Sequence, residues 1–155
     1  MVTTISLASL SAPAHALLGS DAVAHVWTSN ADGTPQVSVV WVVVQGDEIV
    51  FGCDKASQKA RNLRRDPSIV LSIEDDVRTA QGFQRHLVIR GSATLDERPN
   101  PALMDQLATK YTGLARHPLV VHTAAVVRVT IDRISGVGPW INTTDSAQDD
   151  PQHRV

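Results

Sequence analysis

Several things are scarce in this chain, and each scarcity excludes something. A single cysteine, Cys53, stands among 155 residues, so no intrachain disulfide can form, which fits a reducing cytoplasm. Aromatic residues make up 4 %, too few for a platform on which single-stranded nucleic acid would stack. Positive charge is not in excess: 14 Lys plus Arg stand against 16 Asp plus Glu, a net charge of −2, so a nucleic-acid backbone is not an expected partner. No apolar run approaches the ~20 residues needed to cross a bilayer. Met1–Gly19 carries no lysine or arginine before its mild apolar stretch, so it does not read as a secretory signal.

Catalytic signatures are missing as well. None of the six histidines makes a metal-ligand spacing; His117 and His122 lie five apart, wrong for one helical face, and no cysteine pair accompanies them. There is no Gly-x-Ser-x-Gly elbow and no phosphate-binding Gly-x-x-x-x-Gly-Lys loop. Gly136-x-Gly138 lacks the third glycine of a dinucleotide fingerprint, and Pro139 interrupts the backbone such a turn needs. The carboxylates are scattered, without an evident acid–base pair. Ordinary hydrolysis is therefore poorly supported.

What is present is a succession of short strands. The length suits one domain with a real core. Ser11–Leu18 reads as a short helix, and Ala22–Thr28 alternates as a strand. Asn30-Ala31-Asp32-Gly33 is a hairpin signal before a second strand, Gln36–Val44. From Val39 to Val44 that strand is apolar at every position, so both faces should be covered, one by the barrel interior and the other by a helix, a ligand or a second subunit. Glu48–Cys53, Ser68–Glu74, Arg85–Thr94 and Ala124–Ile134 complete six expected strands, with Asp75–Gln84 a polar loop. Asn100 caps a helix with Pro101 at its first position and Leu103, Leu107 and Tyr111 as its buried stripe. Hairpin links favour a mainly β, six-stranded antiparallel barrel with short helices over a parallel sheet. The domain is expected to span 1–144, with 145–155 a disordered tail.

Chemistry gathers in Asp54–Pro67, which holds Lys55, Lys59, Arg61, Arg64 and Arg65. Ser57 can N-cap a short helix from Gln58, and Asp66-Pro67 stops it. Arg64 and Arg65 then suit the negative end of the helix dipole. Lys55 and Lys59 sit at its positive end, where a cation is unfavourable unless an anion lies between it and the free N–H groups. A phosphate cradle is the functional reading; a solvated basic face is the plain one.

With these residues in place, the chain resembles the flavin/deazaflavin oxidoreductases of split β-barrel fold, the superfamily of pyridoxamine 5′-phosphate oxidase. It is most similar to the actinobacterial-type branch that uses the deazaflavin F420. The resembling segments are Ala24–Trp27, Asp32–Trp41, Phe51–Leu63, Val88–Gly91 and Arg133–Trp140, in the family's order. The resemblance implies a homodimer with the cofactor between subunits. It implies that Val39, Val40 and Trp41 face the ring, and that Cys53, Lys55, Ser57, Lys59, Ala60, Arg61 and Asn62 hold the phosphate. Lys59–Leu63 matches the F420 branch closely, whereas Gln58 and His86 depart from the oxidase pattern and weaken the case for FMN.

His86 and Trp140 are candidates for contacts near the ring, with packing as the plain reading of Trp140 and of Trp41. Lys55, Arg61, Arg64 and Arg65 are candidate partners for the oligoglutamate tail of F420, with a solvated helix face as the plain reading. The resemblance implies an F420H2-dependent reductase acting on an electron-poor, hydrophobic small molecule, its pocket shaped by loops such as Asp75–Gln84 and Gly113–His122. An FMN-dependent oxidase or reductase of the same fold, or a module that binds F420 without turnover, are the alternatives.

Overall fold

The computed structural model describes residues 3–119 and 123–142. The expected tail, 145–155, lies outside the described residues, as does part of the Gly113–His122 loop. A single 3-10 turn, Leu7–Ser9, precedes helix α1 (Ala12–Gly19). The strands are β1 (Ala24–Ser29), β2 (Pro35–Val40), β3 (Val43–Gln45), β4 (Glu48–Asp54), β5 (Ser68–Arg78), β6 (Gln84–Asp96) and β7 (Ala124–Val137). Helix α2 (Gln58–Arg65) follows β4, and α3 (Pro101–Thr112) follows β6. All pairings are antiparallel, in one sheet of order β2-β1-β5-β6-β7-β4-β3.

The expected count of six strands becomes seven, and the sheet is not closed. The Gln36–Val44 strand is divided at Trp41-Val42, and its halves, β2 and β3, form the two opposite edges of the sheet. Laid flat, seven strands would set those edges ~29 Å apart. Val40 and Val43 are linked by two residues and can be separated by no more than ~11 Å. The sheet must therefore roll until its edges approach without pairing. This is a split barrel.

Its interior is filled by inward-facing residues of every strand, β3 contributing only the partly buried Val44. Val26, Phe51, Ile69, Leu71, Ile73, Leu87, Ile89, Val127 and Ile131 belong to one cluster, and Leu7, Leu17 and Leu18 close an end of it. Outside the barrel, α3 lays Leu103, Met104 and Leu107 on Val43, Val50, Ala124 and Val126. That layer covers the second face expected for the apolar run only as far as Trp41. Val39 remains 55 % exposed, because the break at Trp41-Val42 turns β3 toward α3 and leaves β2 without an outer neighbour.

The stretch Asp75–Gln84, expected to be a loop, is half strand. β5 runs on to Arg78 and β6 starts at Gln84, leaving a tip at Thr79–Phe83 in which Gly82 adopts φ +88°. The hairpin projects beyond the core, so both its faces are wet, and polar side chains there do not oppose a ladder.

Candidate anion-binding site

The basic helix forms as its caps dictate. Ser57 Oγ accepts the Ala60 N–H at 3.1 Å, and the Asp66 N–H donates to the Asn62 carbonyl at 2.8 Å. Upstream, the Ser57 N–H bonds the Asp54 carbonyl and the Ala56 N–H bonds the Asp54 carboxylate at 2.8 Å. The N–H groups of Gln58 and Lys59 have no hydrogen bond among the described residues. Two open donors at a helix start favour an anion.

Lys59 crosses from this helix to the edge strand. Its Nζ donates to Ser38 Oγ at 2.7 Å and lies 5.9 Å from the centre of the Phe51 ring. No carboxylate pairs with it among the described residues. Half-burial pushes its pKa below 10.5, partly offset by the neighbouring Cys53 thiol. Burial in turn pushes the Cys53 thiol up from 9.0, partly offset by Lys59, so Cys53 is a neutral thiol and not a poised nucleophile. Cys53 also borders a small cleft of ≈170 Å³ lined by Gly52, Asp54, Met104, His117 and Leu119.

The remaining residues of the stretch divide by their partners. Asn62 is fully buried, its Nδ2 donating to Thr28 Oγ1 (3.1 Å) and Asn30 Oδ1 (2.9 Å) while its Oδ1 accepts from Gln58 Nε2 (2.9 Å). It fastens the helix to β1 and the turn after it. Ala60 is fully buried beneath the helix. Arg61 folds back on Gln58 Oε1 at 2.8 Å and the Ala56 carbonyl. Arg64 pairs with Glu97 and the Lys55 carbonyl, and Arg65 donates to the Ser29 carbonyl. The Lys55 ammonium has no hydrogen bond or ion pair among the described residues. Lys55 and Lys59 therefore differ from the three arginines, whose guanidinium groups are already engaged.

On β2, Val39 is exposed, Val40 is buried and Trp41 is half-buried, its ring stacked on Tyr111 at 5.5 Å and tilted against His117 at 5.8 Å. His86 and Trp140 lie elsewhere. The Trp140 Nε1–H donates to the His86 carbonyl at 2.9 Å, its ring is 3 % exposed beneath the Arg85 guanidinium, and Arg85 pairs with Asp75 at 2.9 Å. On β6 the α2 end is marked by Ala93, whose N–H bonds the Pro67 carbonyl. His86 is seven residues away, ~23 Å of strand. One chain thus brings β2, Cys53 and α2 together but leaves His86 and Trp140 apart from them. A larger cleft, ≈510 Å³, lies between α1 and β5 and is lined by Leu17, Asp21, Glu74, Asp76, Val77 and Arg85; it shares no residue with the cradle.

Ser38 was not singled out by sequence. Its signal was a lone hydroxyl in Gln36-Val37-Ser38-Val39, on the same face of β2 as the buried Val40. Among the described residues no cluster of His, Cys, Asp or Glu could hold a metal, and no helix is long and apolar enough to cross a membrane.

An open antiparallel barrel with a capped, cation-bearing helix packed on β1, β4 and β6 is the architecture of the flavin-type split barrels. The chain belongs to the pyridoxamine 5′-phosphate oxidase family, whose model matches residues 11–138. Among solved structures, an F420 reductase is 26 % identical, with a TM-score of 0.69 covering 78 % of this chain and 94 % of that one. A conserved hypothetical protein of Mycobacterium tuberculosis is 24 % identical (TM-score 0.65; 89 % and 90 % covered). The heme storage protein HutZ of Vibrio cholerae shares the fold at 19 % identity (TM-score 0.55; 74 % and 84 % covered). No curated protein matches the chain. The fold alone therefore does not choose a ligand.

Proposed function

We propose that this chain is an F420H2-dependent reductase that delivers a hydride to an electron-poor, conjugated hydrophobic small molecule. The observation that carries the reading is Lys59, a half-buried ammonium without a carboxylate, aimed at Ser38 beside two open helix N–H donors. Such a group fits a phosphate. Ser38 and Trp41 are three residues apart, ~10 Å of extended chain. That reach suits the sugar-alcohol chain joining ring to phosphate in flavins and deazaflavins.

When bound, the deazaflavin supplies the hydride, and the protein supplies binding, orientation and a dry surface. Lys59, Ser38 and the start of α2 would hold the phosphate, Lys55 would meet the acidic tail, and the backbone of Val39–Trp41 would face the ring. No acid–base pair is required of the protein, which agrees with its scattered carboxylates. In the proposed homodimer, His86 approaches the ring from the second copy with Trp140 packed beneath it, because neither reaches the cradle of its own chain. Likeness to an F420 reductase at 26 % identity supports this choice of cofactor over FMN.

Titration with F420, followed by ring fluorescence, tests the reading. Saturable binding is expected, and Lys59→Ala should weaken it about 10–100-fold, the loss of one charge-assisted contact, while leaving the fold intact. A yellow protein as purified would point to FMN instead. Binding without steady F420H2 oxidation across a panel of conjugated acceptors would reduce the chain to a binding module.

A further inference from the structure

The apolar run Val39–Val44 has the composition of one uninterrupted strand, yet its ladder stops at Val40 and resumes at Val43. Helix α3 accounts for the interruption. Tyr111 Oη accepts the Val42 N–H at 3.1 Å, and Lys110 Nζ donates to the Val42 carbonyl at 2.6 Å. Both backbone groups of Val42 are thereby claimed by side chains, while its own side chain is 1 % exposed in the core. The same two residues reach further: Tyr111 Oη donates to the Ala22 carbonyl at 2.9 Å, and Lys110 Nζ to the Leu18 carbonyl at 2.7 Å. One turn of α3 thus gathers the end of α1, the approach to β1 and the break between the edge strands.

The neighbouring peptide is treated differently. Trp41 lies parallel to Tyr111, 8° between planes, yet neither its backbone N–H nor its C=O has a hydrogen bond among the described residues. A half-buried ammonium held by two carbonyls, with no carboxylate partner among the described residues, is a costly way to fill space. It is an economical way to fix a direction.

Resting on the deazaflavin reading above, we infer that Lys110 and Tyr111 are positioning residues for the cofactor ring. They hold the Trp41 peptide open, so that its free N–H and C=O stand at the edge of the split sheet, three residues from the serine that orients Lys59. Without them, ring binding would have to organise the break itself, and affinity would fall by the fraction of chains already organised.

The test compares wild type with Tyr111→Phe, Lys110→Gln and Lys110→Arg, using two ligands: F420, and the deazaflavin carrying only its sugar alcohol. Tyr111→Phe and Lys110→Gln should weaken both ligands by the same factor, about tenfold, at temperatures where the variants stay folded, and Lys110→Arg should recover most of it. Equal loss marks the ring end of the cofactor; a loss seen only with F420 would overturn the assignment by moving it to the phosphate. Folded variants within twofold of wild type for both ligands would also overturn it. Wild type gives a check that needs no variant: the Trp41 amide should exchange its hydrogen quickly alone and slowly with F420, and unchanged exchange in the complex counts against the inference. Failure of wild type to bind either ligand removes the deazaflavin reading as well; wild-type binding with unaffected variants removes this inference alone.

Discussion

Lys59 reaches Ser38 across the mouth of the split barrel at 2.7 Å, and burial holds its pKa below 10.5. Two opposite pH dependences follow. The unfolded chain keeps the lysine protonated up to about its ordinary value while the folded chain releases the proton sooner, so unfolded protein binds more protons in that window. Stability without ligand should rise with pH there. Affinity for F420 should fall over the same window, because the cradle loses its charge. Lys110 is also shifted down by burial and is placed above as a positioning residue, so Lys59→Arg isolates the cradle: the alkaline loss of affinity should shrink to the part Lys110 carries, while the Lys110 contribution to stability remains. Fluorescence titration and urea midpoints between pH 8 and about 10.5 measure the two curves. Parallel movement of stability and affinity would contradict this account of Lys59.

Asn62 should behave as a fastener of the fold. Replacing it with alanine strips Thr28 and Asn30 of a donor in a buried place and leaves the Gln58 amide without its acceptor. A loss of about 1–3 kcal/mol is expected in the urea midpoint. Asn62→Asp should be at least as damaging, since it sets a carboxylate oxygen against Asn30 Oδ1. A destabilisation under about 0.5 kcal/mol would mean the buried network is worth no more than an ordinary surface site.

Gly136 has φ +100°, and a Cβ built there would lie 2.2 Å from the His86 carbonyl oxygen and 3.1 Å from the Val88 nitrogen. Both neighbours are backbone, so neither can swing aside. Gly136→Ala should therefore cost about 2 kcal/mol or more and disturb the β6–β7 register beside Trp140. Thermal melting and the near-ultraviolet signal of the tryptophans report it; an unchanged melting temperature would show that the strand slides freely at this point.

Most of the architecture could be read from local pattern. The Ser57 cap and the Asp66-Pro67 stop bound α2 at the expected residues, and Asn100-Pro101 opens α3. These signals are legible because capping is satisfied within a few residues. The break at Trp41-Val42 was not legible, since six apolar residues in a row have no internal reason to stop; the reason is Lys110 and Tyr111, about seventy positions away. Polarity likewise hid the strands in Asp75–Gln84, where alternation is erased once both faces meet water. At the candidate site, Lys59 was conspicuous as a cation at the wrong end of a dipole. Arg64 and Arg65 were already set apart at the favourable end of that dipole, but the partners that engage them, Glu97 and the Ser29 carbonyl, were not legible, because they are set by tertiary approach.

The rolled sheet also bears on how this protein behaves in the tube. Its β2 border, Pro35–Val40, contains no lysine, arginine or acid, and two valines stand on it with more than half their surface in water. Pro35 at the first position and the Lys59 ammonium at Ser38 are what blunt it. Natural sheets usually guard such a margin with charge, since an unguarded one recruits any strand that comes by. Precipitation at high concentration is expected to start from six residues on the rim, a route against which a well-packed interior gives no protection.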